Sequence, residues 1–297
     1  MANLSEREIA DYGDFLSAAK SAARAAGEVL KEWLGKAQVT EKGPGDYVTQ
    51  ADLASQQKIQ QLLQSSFPNH DFKGEENPAV TDHHGPSNNA EFCWVVDPLD
   101  GTTNYIHQLR SFSVSIALLQ RGRIVVGVVY DPLLDEMFAA SLGSGATLNE
   151  DPIAVSRCSD INQSLLVCSF STQVQIDSIE LRRFTNILCH TNSSIRRLGS
   201  AALNLAYVAC GRLDGYWATS LNLWDMAAGT IILTEAGGVI EHIDSKPLQL
   251  DDPQFVAANN TELLREISAA LRGEPAADRE RLFEFVPHRS IRSNHSF

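Results

Sequence analysis

The chain has 297 residues, a formal net charge of -13 and 43% hydrophobic residues. That length can bury one large core or two smaller ones, and the apolar fraction excludes wholesale disorder. The charge excludes a global pull toward nucleic acid, and no apolar run approaches the roughly 20 residues that a bilayer crossing needs. An acidic chain that binds an anion needs a local positive charge, which a bound Mg2+ would supply.

The five cysteines are Cys93, Cys158, Cys168, Cys189 and Cys210, with no C-x-x-C pair among them. Buried free thiols in a reducing compartment are expected. Residues 1–14 carry acids and no long apolar core, unlike a secretory signal. The expectation is a cytoplasmic protein that contacts neither membrane nor nucleic acid.

Taken in order, residues 14–34 read as a helix, with Phe15, Ala18, Ala22, Ala26, Val29, Leu30 and Trp33 at three- and four-residue spacings. Residues 41–47 hold two glycines and a proline and read as irregular loop. A second helix is predicted from Thr49 to about residue 65, where Thr49 and Asp52 fit a capping box. A carboxylate in that first turn can cap the helix and also hold a water. Residues 71–73 read as a short strand, and Gly74-Glu75-Glu76 by itself reads as a solvated turn. Residues 77–91 read as an exposed loop, with His83 and His84 assigned no role.

Residues 92–96 read as a buried strand broken at Pro98. Residues 111–119, 124–130 and 135–140 follow as a largely antiparallel meander, with a hairpin turn at Arg121-Gly122-Arg123. A further hairpin is expected near residues 143–149, closing a first αβ unit at about residue 155. The second half reads as strand 164–169, helix 176–189, helix 201–211, strand 214–218, helix 226–236, strands 239–243 and 255–258, and helix 261–271. These define units 1–155 and 156–272, followed by a polar tail, 273–297.

The chemistry concentrates after the central strand, in Asp97-Pro98-Leu99-Asp100-Gly101-Thr102-Thr103-Asn104. Clustered acids at a rigid strand end are costly unless a cation sits there. The proline fixes the turn, so Asp97 and Asp100 can face one pocket with the Leu99 carbonyl. Gly101 lets backbone approach a phosphate, whose oxygens suit the N–H groups of Gly101, Thr102 and Thr103 at a helix start. Phosphate monoester hydrolysis is among the slowest uncatalysed reactions, and paired divalent cations address each of its demands.

Gly74-Glu75-Glu76, the run from Asp97 to Asn104, and Trp224-Asp225-Met226-Ala227-Ala228-Gly229 together resemble the three signatures of the inositol monophosphatase family. Arg197-Leu198-Gly199-Ser200-Ala201-Ala202 and Glu235-Ala236-Gly237-Gly238 also fit. The resemblance implies a layered αβαβα sandwich of mixed α/β class, a homodimer, and a phosphoric monoester hydrolase using two to three Mg2+ ions. It implies that Glu75, Asp97 and the Leu99 carbonyl hold a first ion, and that Asp97, Asp100 and Asp225 hold a second. Glu75 would help hold a looser third. Thr102, with Asp52 and Glu75, would orient the attacking water, and inhibition by Li+ and Ca2+ would follow. The substrate, a small phosphate monoester, would meet Asp100, Gly101, Thr102, Thr103, Gly199, Ser200, Ala201 and Asp225.

The implied reaction is hydrolysis of myo-inositol phosphate. The alternatives on the same fold are 3′(2′),5′-bisphosphate nucleotidase, histidinol-phosphatase and fructose-1,6-bisphosphatase. A non-catalytic regulatory protein is a rival of another class. An aspartyl-phosphate enzyme fits poorly, because two residues rather than one separate Asp97 from Asp100. One departure bears on the substrate: inositol-selective relatives carry a Glu seven residues before the last metal Asp, where this chain has Ala218.

Overall fold

The computed structural model describes residues 11–76, 91–171 and 173–274. The expectations for residues 1–10, for the loop with His83 and His84, and for the tail beyond Glu274 lie outside the described residues.

The elements run α1 (Gly13–Trp33), β1 (Val39–Gly43), β2 (Asp46–Thr49), α2 (Gln50–Ser66), β3 (Asp71–Gly74), β4 (Phe92–Asp100) and α3 (Thr102–Ile106). The meander follows as β5 (Ser113–Gln120), β6 (Arg123–Asp131), β7 (Glu136–Ser141), β8 (Ala146–Leu148) and β9 (Asp151–Pro152). The second half holds β10 (Leu165–Ser169), α4 (Ile179–His190), β11 (Ser194–Arg196), α5 (Ala201–Ala209), β12 (Gly215–Ala218), α6 (Leu223–Glu235), β13 (Val239–His242), β14 (Phe255–Ala258) and α7 (Thr261–Arg272).

Two sheets organise these elements. Seven strands lie in the order β3-β4-β5-β6-β7-β8-β9, with only the β3–β4 pair parallel. Five strands lie in the order β11-β10-β12-β14-β13 and mix both senses.

Side-chain alternation on β4 and β5 shows how the layers form. Trp94, Val96, Ile116 and Leu118 face α1 and α2, while Cys93, Val95, Ala117 and Leu119 face α5 and α6. Both faces are covered, so these strands are apolar throughout. The other side of α5 and α6 packs on Val167, Tyr216, Ala218 and Phe255 of the second sheet. The far face of that sheet buries Leu166, Cys168 and Trp217 against Ile187, Leu263 and Ile267 of α4 and α7. The layers are therefore helix, sheet, helix, sheet, helix. At Gly127 a Cβ would lie 2.5 Å from the Ala228 carbonyl, so the missing side chain sets how closely α6 approaches β6.

Four local expectations change. The segment expected as loop 41–47 is an antiparallel hairpin, β1–β2, whose strands are mostly exposed and so carry no apolar alternation. Pro98 does not end β4: the strand continues to Asp100 across an irregularity, because the proline falls where one extra residue bulges out of the ladder. Helix α6 starts at Leu223 rather than Met226, placing Asp225 in its first turn. The three-residue strand β11 was too short to leave a pattern. All five cysteines are free, but Cys189 is exposed on α4, against the expectation of burial. Among the described residues no helix is long and apolar enough to cross a membrane.

Candidate metal and phosphate site

Strand β3 delivers Glu75 and β4 delivers Asp97 and Asp100. The parallel pairing of β3 and β4 continues past the ladder, where the Glu75 amide donates to the Val96 carbonyl at 3.0 Å. Asp97 pairs with Ser115 and Asp100 with Ser113, so three steps along β4 match two along β5. This extra residue is a β-bulge, which re-aims the side chains around it. Asp97 Oδ1 accepts the Leu99 amide at 2.9 Å, and the Ser55 hydroxyl donates to the Pro98 carbonyl at 2.8 Å.

Gly101 then reverses the chain with φ +96°, and a Cβ there would sit 3.0 Å from the Ser111 carbonyl. Only glycine adopts this left-handed backbone without strain. No side chain caps α3. The first-turn amides of Thr102 and Thr103 therefore have the orientation that suits an anion.

The Thr49–Asp52 capping box is present. Asp52 Oδ2 accepts both the Thr49 amide, at 2.9 Å, and the Thr49 hydroxyl, at 2.6 Å. Its Oδ1 lies 3.3 Å from the Thr102 hydroxyl, which is also 3.1 Å from the Leu99 carbonyl. Asp52 thus caps α2 with one oxygen and reaches the central motif with the other.

Asp225 arrives on α6, from the helical layer between the two sheets. Its Oδ2 accepts the Asn222 amide at 2.6 Å, so the helix start orients the carboxylate. Asp97 stands between Glu75 and Asp225, within hydrogen-bonding contact of both. Asp100 sits on the N-terminus of α5. It accepts the Ala201 amide at 3.1 Å, the Ala202 amide at 2.7 Å and the Ser200 hydroxyl at 2.6 Å.

The Asp100 arrangement involves one residue expected at the substrate wall. Ser200 is fully buried and donates its hydroxyl to Asp100, so it braces a carboxylate, and it is not among the residues that line the cleft. Gly199 and Ala201 do line a cleft of about 200 Å³, together with Asp100, Asp225, Arg197, Phe170, Ser169 and Leu221. Gly199 has φ +92°, and a Cβ there would sit 2.5 Å from Asn104 Nδ2. Asn104 donates to the Leu198 and Ser111 carbonyls, both at 2.7 Å, and so pins the turn before α5 onto the central motif. Thr103 is exposed beside it.

Burial raises every one of these carboxyl groups. Glu75 is pushed up to about 8 and Asp225 to about 7, each raised further by neighbouring carboxylates. Asp100 rises to about 6, with hydrogen bonds from Ser200, Ala201 and Ala202 opposing the burial. Asp52 also rises to about 6. Asp97 lies well above the usual range, from burial first and then from Glu75, Asp100 and Asp225. A divalent cation would reverse the repulsion and favour the ionised forms.

The donors fit such an ion by their chemistry. They are hard oxygens only, four carboxylates with the Leu99 carbonyl, which suits Mg2+ rather than a thiophilic metal. Among the described residues no three His, Cys, Asp or Glu side chains are already drawn together closely enough to cage an ion. Asp100 is held toward α5, and Asp97 is shared between its neighbours.

Several site contacts gave no sequence signal, although Asn104 and Arg197 themselves lie in the family-like motifs. Lys42, on the β1–β2 hairpin, reaches Glu76 at 2.6 Å and Glu75 at 3.8 Å. The hairpin was unread, so its lysine was too. Ser55 and Asn104 act through backbone carbonyls distant in the chain, which no local pattern reveals. Arg197 and Phe170 come from the loops after β11 and β10.

Oxygen donors that repel one another until a cation arrives, set beside amides that suit a phosphate, meet the requirements of a metal-assisted phosphoric monoester hydrolase. A family model described as the inositol monophosphatase family matches residues 11–275, and the chain belongs to that family. It is 41% identical over 268 residues to the inositol-1-monophosphatase of Synechocystis sp., covering 89% of this chain and 91% of that one. It is also 41% identical to the Nus factor SuhB of Pseudomonas aeruginosa, over 82% of this chain and 91% of that one. Among solved structures, an inositol monophosphatase from Anabaena superimposes with a TM-score of 0.77 at 41% identity, covering 88% and 96% of the two chains. The extragenic suppressor protein suhB from Bartonella henselae gives 0.81 at 35% identity, covering 88% and 99%.

Proposed function

We propose that this protein hydrolyses myo-inositol 1-phosphate to myo-inositol and phosphate with two to three Mg2+ ions. The observation that carries the reading is the convergence of Glu75, Asp97, Asp100 and Asp225, buried and mutually repelling oxygen donors whose pKa values are raised and whose ionised forms call for cations. Glu75, Asp97 and the Leu99 carbonyl would hold one ion, and Asp97, Asp100 and Asp225 a second. Glu75 would share a third. When bound, the ions supply Lewis acidity toward the phosphoryl oxygens and the departing alkoxide and make a water nucleophilic.

The chain's own residues supply position. Thr102, Asp52 and Glu75 orient the attacking water, with the Thr102 hydroxyl between the Asp52 carboxylate and the Leu99 carbonyl. The amides of Gly101, Thr102 and Thr103 bind phosphate oxygens, with Gly199 and Ala201 as the opposite wall. The α5 N-terminus holds Asp100 in one orientation. A homodimer in the cytoplasm, inhibited by Li+ and Ca2+, belongs to the same reading, as does a division into units 1–155 and 156–272.

Asp225→Asn tests the assignment. It keeps the side-chain size and an acceptor for the Asn222 amide, so the fold should persist while Mg2+-dependent turnover falls by orders of magnitude. Unchanged turnover would remove Asp225 from the site. The same assay, run on inositol, histidinol, fructose and adenosine phosphates, separates inositol monophosphatase from the alternatives on this fold. The names of the SuhB relatives favour a second role in transcription for proteins of this type. A complete carboxylate set supports catalysis here.

A further inference from the structure

Two chemically different sets of residues line the cleft. Asp100 and Asp225 belong to the metal site proposed above, and Cys168, Ser169, Phe170, Arg197, Ser220 and Leu221 line the same cleft. Arg197 is the one cation among these lining residues, and no further carboxylate joins them.

Arg197 is held in a defined place. Its guanidinium lies 4.2 Å from the centroid of the Phe170 ring, and Nη2 donates to the Phe170 carbonyl at 3.1 Å. Phe170 is braced by Phe184 of α4, with ring centroids 5.8 Å apart. Stacking fixes the plane of the guanidinium and leaves most of its five N–H donors unspent. Among the described residues no carboxylate is within ion-pair distance of it.

Beside it, the fully buried Tyr216 donates its hydroxyl to Ser169 Oγ at 2.9 Å. That bond occupies an acceptor position of Ser169 and leaves the serine proton to be donated into the cleft. Ala218, at the end of β12 next to Ser169, is fully buried and offers no polar atom. Apart from Asp100 and Asp225, the cleft lining therefore presents donors and a positive charge, and Ala218 supplies no carboxylate to accept sugar hydroxyls. A volume of about 200 Å³ admits a small molecule only.

We infer that Arg197, set by Phe170 and Ser169, is a specificity-determining residue that lets the site also take phosphate monoesters whose leaving group carries a second anionic group, carboxylate or phosphate. The inference rests on the phosphatase reading of the site and widens its substrate range beyond myo-inositol 1-phosphate. A planar fork of donors matches either anion in two-point contact, and hydrogen bonds to charged groups are the stronger ones.

Steady-state kcat/KM with Mg2+ tests it on two matched pairs. Glycerol 2-phosphate against 2-phosphoglycerate adds a carboxylate. Fructose 1-phosphate against fructose 1,6-bisphosphate adds a phosphate. In the wild type the anionic member of at least one pair should be favoured, and which pair responds identifies the anion. Arg197→Ala and Arg197→Gln should each cut that preference by about tenfold or more, as loss of a charge-assisted hydrogen bond does. Arg197→Lys should fall between, because it keeps the charge and loses the fork. Using the ratio of the two substrates cancels any general loss of activity. An unchanged ratio in both neutral variants would overturn the role of Arg197 while leaving the phosphatase reading intact. Myo-inositol 1-phosphate is the control: its hydrolysis with failure on both members of both pairs would overturn this inference alone, and failure on all five esters would remove the phosphatase reading with it.

Discussion

Individual side chains at this site serve two tasks, and Asp52 shows how they combine. One carboxylate oxygen accepts the Thr49 amide and hydroxyl, and the other approaches Thr102. Replacing it with Asn tests both tasks. Asp52→Asn should lower kcat by about 10²–10⁴, the range for losing a positioned proton acceptor. It should cost about 1 kcal/mol or less in denaturant unfolding, because the Asn side-chain oxygen can still accept the Thr49 amide in the capping box. A large stability loss with unchanged kcat would leave Asp52 as a cap alone. Asp100 is a similar case: the sequence placed it in the pocket, but its orientation comes from three donors about 100 residues away. Ser200, expected at the substrate wall, is one of those donors.

At the level of elements, the site is a meeting of ends. Strands β3 and β4 finish there, and α2, α3, α5 and α6 begin there. Helix starts suit carboxylates and phosphate alike, since their free amides and dipoles favour negative charge. The Gly101 turn sets the direction in which α3 presents its amides. Gly101→Ala forces a left-handed alanine against the Ser111 carbonyl. It should cost about 1–3 kcal/mol in urea-induced unfolding and raise KM for any phosphate substrate. A neutral effect on both would mean that α3 can shift without consequence.

These element-level features differ in how legible they were. The Thr49–Asp52 capping box and the hairpin turn at Gly122 are local, so residue order revealed them. The β4 bulge at Pro98 was read as a strand end, because proline ends most strands and only the register with β5 shows that this one continues. The β1–β2 hairpin was missed because a solvated ribbon needs no apolar alternation, and Lys42 was missed with it.

The whole molecule buries a cluster of carboxyl groups whose ionisation is opposed by burial and by one another, and its stability should show this. Asp52 and Asp100 titrate near 6, Asp225 near 7 and Glu75 near 8 in the folded chain, against 3.8 for Asp and 4.5 for Glu when exposed. The folded state therefore binds more protons than the unfolded state between about pH 4 and pH 8. Stability of the metal-free protein is greatest at the acid end of that window and falls as pH rises through it. Mg2+ should act in the opposite sense, because it binds the ionised carboxylates of the native state. The expected result is a rise in Tm on adding Mg2+ that is larger at pH 8 than at pH 5, measured by thermal unfolding with chelator-treated protein. A gain independent of pH would place the ions away from these carboxylates.

The sequence by itself determined most of the helices and strands and the acid-rich motif from Asp97 to Asp100, while the layer order and the set of four carboxylates came from the family resemblance. The elements follow from apolar periodicity, and the motif from neighbours along the chain that are neighbours in space. The tertiary structure alone decided how the pieces meet: Asp97 between Glu75 and Asp225, Asp100 on the start of α5, and Lys42 beside Glu75 and Glu76. It also decided the wall made by Arg197 and Phe170. Each of these depends on contacts between segments tens to more than a hundred residues apart. Their energetics come from burial and from opposing charges in three dimensions, which residue order does not encode locally.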